Sequence, residues 1–244
     1  MPLGINGWEL GAAMVIVLLG GTVQGAIGFG INLMVVPVLA VLIPGSVPGS
    51  MVLLSMPMTL TMLLREHHAI DWLGVRWIAA GRLPGTVVGV AVVIAVPSAE
   101  LALVIGVIIL IAVVLSVVHP GIPVTRATAF MTGSIAGVTG TAAGVDGPPL
   151  ALLYQRQASH TLRATLAACF LIGAAVSGVA LTLGGKLSVE QLEFTALLLP
   201  AMLVGLMLSG QLGRRLSPAA LRPIVLAFAT VAGVIAMIRG ITAI

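Results

Sequence analysis

Apolar runs of about 20 residues dominate the pattern of this chain, and the short turns between them hold nearly all of its charged side chains. Six runs, residues 47–64, 75–96, 101–118, 163–183, 193–213 and 219–238, are long enough to cross the hydrocarbon core as helices. Turn formers bound them: Pro97 and Ser98 precede one, Gly184 and Gly185 follow another, and Ser217 and Pro218 open the last. Two further apolar stretches, 8–43 and 127–155, are interrupted near their centres by glycine and proline. Backbone released at membrane depth is tolerated only where protein covers it or water reaches it, so these read as broken elements lining a cavity.

The order of elements repeats. Gly21, Gly25 and Gly28 form a GxxxGxxG pattern that returns as Gly133, Gly137 and Gly140, each 112 positions on. LPGTVVG (Leu83 to Gly89) is answered by LPAMLVG (Leu199 to Gly205), 116 positions on. Either glycine pattern alone reads as helix packing; two matches in the same order read as a duplication. The expected halves are 1–118 and 119–244, each a broken re-entrant element followed by three spanning helices. An odd number of crossings per half inserts the second half upside down. The expected fold is therefore an all-α polytopic membrane protein of two inverted repeats, an architecture many secondary transporters use.

Composition agrees with a membrane chain: 59% of residues are hydrophobic and 7% charged, too few charges for a soluble domain. Eleven Lys and Arg against seven Asp and Glu give a net charge of +4, but the basic residues are dispersed singly, so nucleic acid is not an expected partner. They report orientation instead. With 127–155 turning back on itself, Arg65, Arg76, Arg82, Arg126, Arg156, Arg163, Arg214, Arg215 and Arg222 fall on the cytoplasmic side, Lys186 and Arg239 outside, and both termini outside. No Lys or Arg precedes Arg65, so the first apolar stretch lacks the basic flank of a cleaved signal and is expected to stay.

The candidate chemistry lies in the two breaks. Gly28, Phe29 and Gly30 make the first, with Gln24 and Asn32 as nearby hydrogen-bonding side chains. Gly144 and Gly147 bracket the second, and Pro148 or Pro149 suits the first position of a following short helix. Helix N-termini present unpaired N–H groups and partial positive charge, which suits a small anion. Thr22, Thr139 and Thr141 offer hydroxyls, or bond back to the preceding turn. Asp146 is the one acidic residue deep in an apolar segment: a proton-coupling or gating group, or a cap on the helix that follows. Arg82 is an anion ligand or a side chain snorkelling to the interface. His67 and His68 read as a solvated loop. Cys169 is alone, which excludes an internal disulfide and a cysteine-based metal site; no metal or cofactor is expected.

GGTVQGAIGFGINLMVVPVL (Gly20 to Leu39) and GSIAGVTGTAAGVDGPPLALLYQ (Gly133 to Gln155) resemble the duplicated signature of the TauE/SafE family of sulfite-exporter-like membrane proteins, across essentially the whole chain. The resemblance implies a permease of the bacterial inner membrane that exports sulfite, an organosulfonate or another small sulfur-containing anion. It makes the segments from Gly25 to Asn32 and from Gly137 to Pro149 the expected translocation site, adding Gly25, Gly137 and Gly140 to the residues above. Where it leads one to expect a small residue before the Gly-Pro-Pro, this chain carries Asp146. The expected partners are the anion, the lipid bilayer and a coupling proton, with the oligomeric state open. The alternative is an anion or small-solute channel with two re-entrant half-helices. No GxxxxGK[ST] loop is present for ATP, and no histidine, including His119 and His160, falls within an expected helix to serve a membrane-embedded serine, so catalysis is not expected.

Overall fold

A computed structural model describes residues 2–118, 122–215 and 218–242; His119 and Ser217 lie outside them, as do the side chains of Arg214 and Arg215. Among the described residues there are ten α-helices and no strand. They are α1 (Gly7–Ile27), α2 (Ile31–Leu42), α3 (Gly49–Glu66), α4 (Trp72–Ala95), α5 (Ser98–Val118), α6 (Arg126–Ala143), α7 (Gly147–Tyr154), α8 (Ser159–Leu183), α9 (Val189–Arg215) and α10 (Pro218–Thr242). Several helices outrun their apolar centres because polar residues at their ends are still helical. Thus α8 starts at Ser159, and His160 lies in its exposed first turn rather than outside a helix.

Local chemistry fixes several ends. Asn6 N–H donates to Glu9 Oε2 at 2.8 Å where α1 begins, and Asp71 Oδ1 accepts from Gly74 N–H at 3.1 Å where α4 begins. Thr125 and Thr128 bond reciprocally at the start of α6. Six helices are long and apolar enough to cross a membrane: α1, α4, α5, α8, α9 and α10. The expected run 47–64 falls in α3, which also takes in Arg65 and Glu66 and is not among these six, whereas the uninterrupted α1 is. Outward faces are apolar, as lipid requires: Val87 and Met207 are 70% and 72% exposed.

Each broken stretch begins and ends at one end of the molecule. Glu9 near the start of α1 and Leu42 at the end of α2 share a surface cavity with Glu190, at the start of α9. In the second, the Arg126 guanidinium lies 5.9 Å from the Trp77 ring centre, and Tyr154 Oη donates to Asp71 Oδ2 at 2.8 Å, both at the start of α4. Helix α3, about 27 Å long, joins these ends. Ser50 Oγ at its start donates to the Gln191 carbonyl at 3.2 Å, and Glu66 at its end pairs with Arg163 at 2.8 Å. The arms are unequal, 21 and 12 residues in the first stretch, 18 and 8 in the second, so neither break sits at the middle of its stretch.

The most extensive packing sets α4 against α6 and α1 against α9, with α5 on α10 and α3 on α8. Glycine makes the first contact close. A Cβ on Gly133 would strike the Ile78 carbonyl, and one on Gly85 the Ser134 carbonyl. Gly205 stands in the same relation to the Leu18 carbonyl across α1 and α9. Close backbone approach of this kind holds helices together where lipid supplies no hydrophobic drive.

Gly133→Ala should therefore lower thermal stability in detergent, by about 1–3 kcal/mol for an overpacked contact. Gly11→Ala, which meets nothing within 4 Å, should not. The buried, lone Cys169 makes a thiol-reactive dye a direct reporter of unfolding.

Candidate functional site

The two breaks are built by different means. In the first, Phe29 is flanked by Gly28 at φ 96° and Gly30 at φ 122°, a region that favours glycine. Gln24, one turn back in α1, holds both sides together: its carbonyl accepts Gly28 N–H at 2.7 Å and its Oε1 accepts Ile31 N–H, the start of α2, at 3.2 Å. In the second, Gly144 takes φ 71°, its N–H returning to the Gly140 carbonyl at 3.0 Å, and Val145 N–H reaches the Thr139 carbonyl at 3.2 Å. Pro148 and Pro149 then start α7 without bringing N–H groups that need partners. The breaks touch, for a Cβ on Gly147 would lie 3.4 Å from Phe29 Cβ.

A cavity of about 30 Å³ lies where they meet. The first stretch supplies Gln24, Gly30 and Asn32, the second Gly140, Gly144, Asp146 and Gly147, and α4 supplies Arg82. Ser55 and Thr59 of α3 and Phe170 and Ser177 of α8 complete much of the wall. Asn32 Nδ2 reaches Ser55 Oγ at 3.4 Å. The volume is that of a water molecule, so an oxyanion of several heavy atoms needs its walls to move.

Arg82 dominates the electrostatics. It is only 2% exposed, its Nη1 is ion-paired with Asp146 Oδ2 at 2.8 Å but off the line of a hydrogen bond, and its Nε has no hydrogen-bond partner among the described residues. The snorkelling alternative is thereby replaced: the guanidinium turns into the protein. Asp146 occupies the N-cap position of α7 but makes no side-chain capping bond, its carboxylate facing Arg82 instead. Two glycines make room. A Cβ on Gly140 would lie 2.7 Å from Arg82 Nη2, and one on Gly173 in α8 would collide with the guanidinium carbon.

Of the residues singled out in the sequence, Gln24, Gly30, Asn32, Arg82, Gly140, Gly144, Asp146 and Gly147 come together around this cavity. Others do not line it. Gly25 packs on Ser209 and Leu206 of α9, Gly137 on the α4 backbone at Arg82 and Thr86, and Gly28 beside Arg163. Thr141 Oγ1 is bonded to Ser177 Oγ at 2.8 Å, and Pro148 is buried at the start of α7. Thr22 bonds back to the Leu18 carbonyl at 2.8 Å, whereas the buried Thr139 hydroxyl has no partner among the described residues. Sequence reasoning passed over Ser55, Thr59, Phe170, Gly173 and Ser177. Ser55 and Thr59 stand one turn apart on α3 and were readable as a polar face; Gly173 carries no signal until Arg82 is seen beside it. His67 and His68 are exposed in the turn after α3, and no cluster suited to a metal ion occurs among the described residues.

No curated protein and no solved structure gives a significant match to this chain. The family model described as sulfite exporter TauE/SafE matches residues 13–236. With six membrane-crossing helices and that match over nearly its whole length, the chain belongs to the TauE/SafE sulfite exporter family of membrane transporters.

Proposed function

We propose that the chain is a secondary transporter that exports a small sulfur-containing anion, sulfite or an organosulfonate, across a bacterial inner membrane by alternating access around this cavity. The observation that carries the reading is the Arg82 guanidinium. It is buried, lines the cavity between the two breaks, and its Nε N–H has no hydrogen-bond partner among the described residues. Such donors in a low-dielectric site favour an anion with several acceptor oxygens.

We read residues 1–118 and 119–244 as inverted repeats. This is supported by the pairing of α4 with α6 and α1 with α9, which exchanges corresponding helices, and by broken stretches that start from opposite ends of α3. The charge bias puts the end carrying Arg126 and Arg163 in the cytoplasm and both termini outside. The small volume of the cavity favours alternating access over an open channel.

Asp146 neutralises Arg82 while the site is empty. An anion that takes up the Arg82 donors leaves the carboxylate without its counter-charge, and in the coupling proposed here a proton takes that place. Anion and proton then bind together and leave together. Uptake of a proton with the anion makes anion affinity rise as pH falls.

Radiolabelled sulfite and methanesulfonate flux in proteoliposomes, with and without a pH gradient, tests the reading. Arg82→Gln should lower flux by roughly 10- to 100-fold, the worth of a charge-assisted hydrogen bond. Wild-type flux in Arg82→Gln would refute the site. Gly173→Ala, which forces the guanidinium aside without removing it, should lower flux while the protein stays folded. Asp146→Asn should make methanesulfonate binding insensitive to pH. That ligand is ionised throughout, so a pH dependence that survives the substitution would remove Asp146 from the coupling.

A further inference from the structure

Beside the central cavity lies a larger one, of about 190 Å³, at the end of the molecule where α8 begins. Phe29 lines it from the first break, Gln155 and Gln157 from the turn after α7, Ser159 and Arg163 from α8 and Arg222 from α10. Phe29 is also what a Cβ on Gly147, in the central cavity wall, would touch. One aromatic side chain, held between two glycines of positive φ, therefore stands between the two spaces.

The two arginines differ in what they face. Arg163 Nε bonds both oxygens of Glu66, at 2.8 and 2.9 Å, so its charge is matched. Arg222 donates to neutral oxygens, Gln155 Oε1 at 3.2 Å and the Ser116 carbonyl at 2.8 Å, and has no carboxylate partner among the described residues. Its charge is half-buried and unmatched at the wall of a space that, unlike the central one, admits a multi-atom ion.

We propose that this vestibule is a second anion site, in which Arg222 holds a small oxyanion before it passes Phe29 to Arg82. Gln155 and Ser159 add hydrogen-bonding groups, and Ala26, Ile27, Ala151 and Leu162 add an apolar wall against which a short alkyl group of a sulfonate packs. The vestibule rests on the transport reading, but its binding chemistry is independent of Arg82.

Equilibrium binding of radiolabelled sulfite to the purified full chain separates the two. Arg82→Gln, with the central site disabled, should retain saturable binding, and Arg82→Gln combined with Arg222→Gln should lose it. Because Arg222 ties α10 to α5 and α7, a second variant leaves those bonds alone. Gln157→Glu, at an exposed side chain, places a carboxylate in the vestibule and should weaken the retained binding about tenfold. Cys169 dye protection would show both proteins folded. Loss of all binding in Arg82→Gln alone, or unchanged binding when the Arg222 and Gln157 substitutions are added to it, overturns the vestibule and leaves the central site standing. Binding in Arg82→Gln that the Arg222 substitution abolishes, together with undiminished flux in Arg82→Gln, supports the vestibule and sinks the central reading.

Discussion

An amide or carbonyl released from a helix inside hydrocarbon has no water to turn to, and each one left unsatisfied costs several kcal/mol. That constraint decides how both breaks are built. At the first, a single residue, Gln24, takes Gly28 N–H on its main chain and Ile31 N–H on its side chain, so the end of one helix and the start of the next share one acceptor residue. At the second, Gly144 and Val145 return their N–H groups to α6, and the prolines that start α7 have none to place. The two solutions differ in residues and agree in physics. Their common result is chain reversal inside the protein, with polar groups gathered on a small enclosed space.

Into that space the fold inserts a charge. Taking a guanidinium and a carboxylate out of water costs several kcal/mol per ion, and a pair with unmade hydrogen bonds recovers less of it than a well-packed apolar pair would provide. Arg82 and Asp146 are therefore a poor device for stability, which is consistent with the recognition role proposed for them. Placement comes from glycine. Gly137 brings α6 against the α4 backbone at Arg82 and Thr86, Gly140 then leaves space for the head group, and Gly173 clears the opposite wall. The repeated glycine spacing thus acts once as helix packing and once, at Gly140, as a lining of the site.

The glycine and proline punctuation made the breaks legible in the sequence because left-handed turns and proline-initiated helices leave a local signature. The pattern did not show that α1 is itself long enough to cross a membrane: the first break lies far enough along its stretch for α1 to remain a full-length apolar helix. Arg82 could be placed to within a helix turn but not to a face, since a half-turn decides between interface and interior. The contributions of Ser177 and Gly173 depend on the packing of α8 against α3 and α4, which no local pattern encodes.

The central ion pair has a further property that follows from where its members stand. Arg82 lies in the first of the proposed repeats and Asp146 in the second, so the 2.8 Å contact is also a tie between them. Under alternating access, any displacement that widens the cavity enough for an oxyanion stretches this tie. Stretching it at a buried site leaves two unpaired charges, unless a proton on the carboxylate and an anion on the guanidinium replace the contact. In the proposed mechanism the empty site would be held shut by its own neutrality, and the loaded site released by the cargo and the proton that replace it. One interaction would then serve as counter-ion and as latch, making a movement of the unloaded protein the costly path.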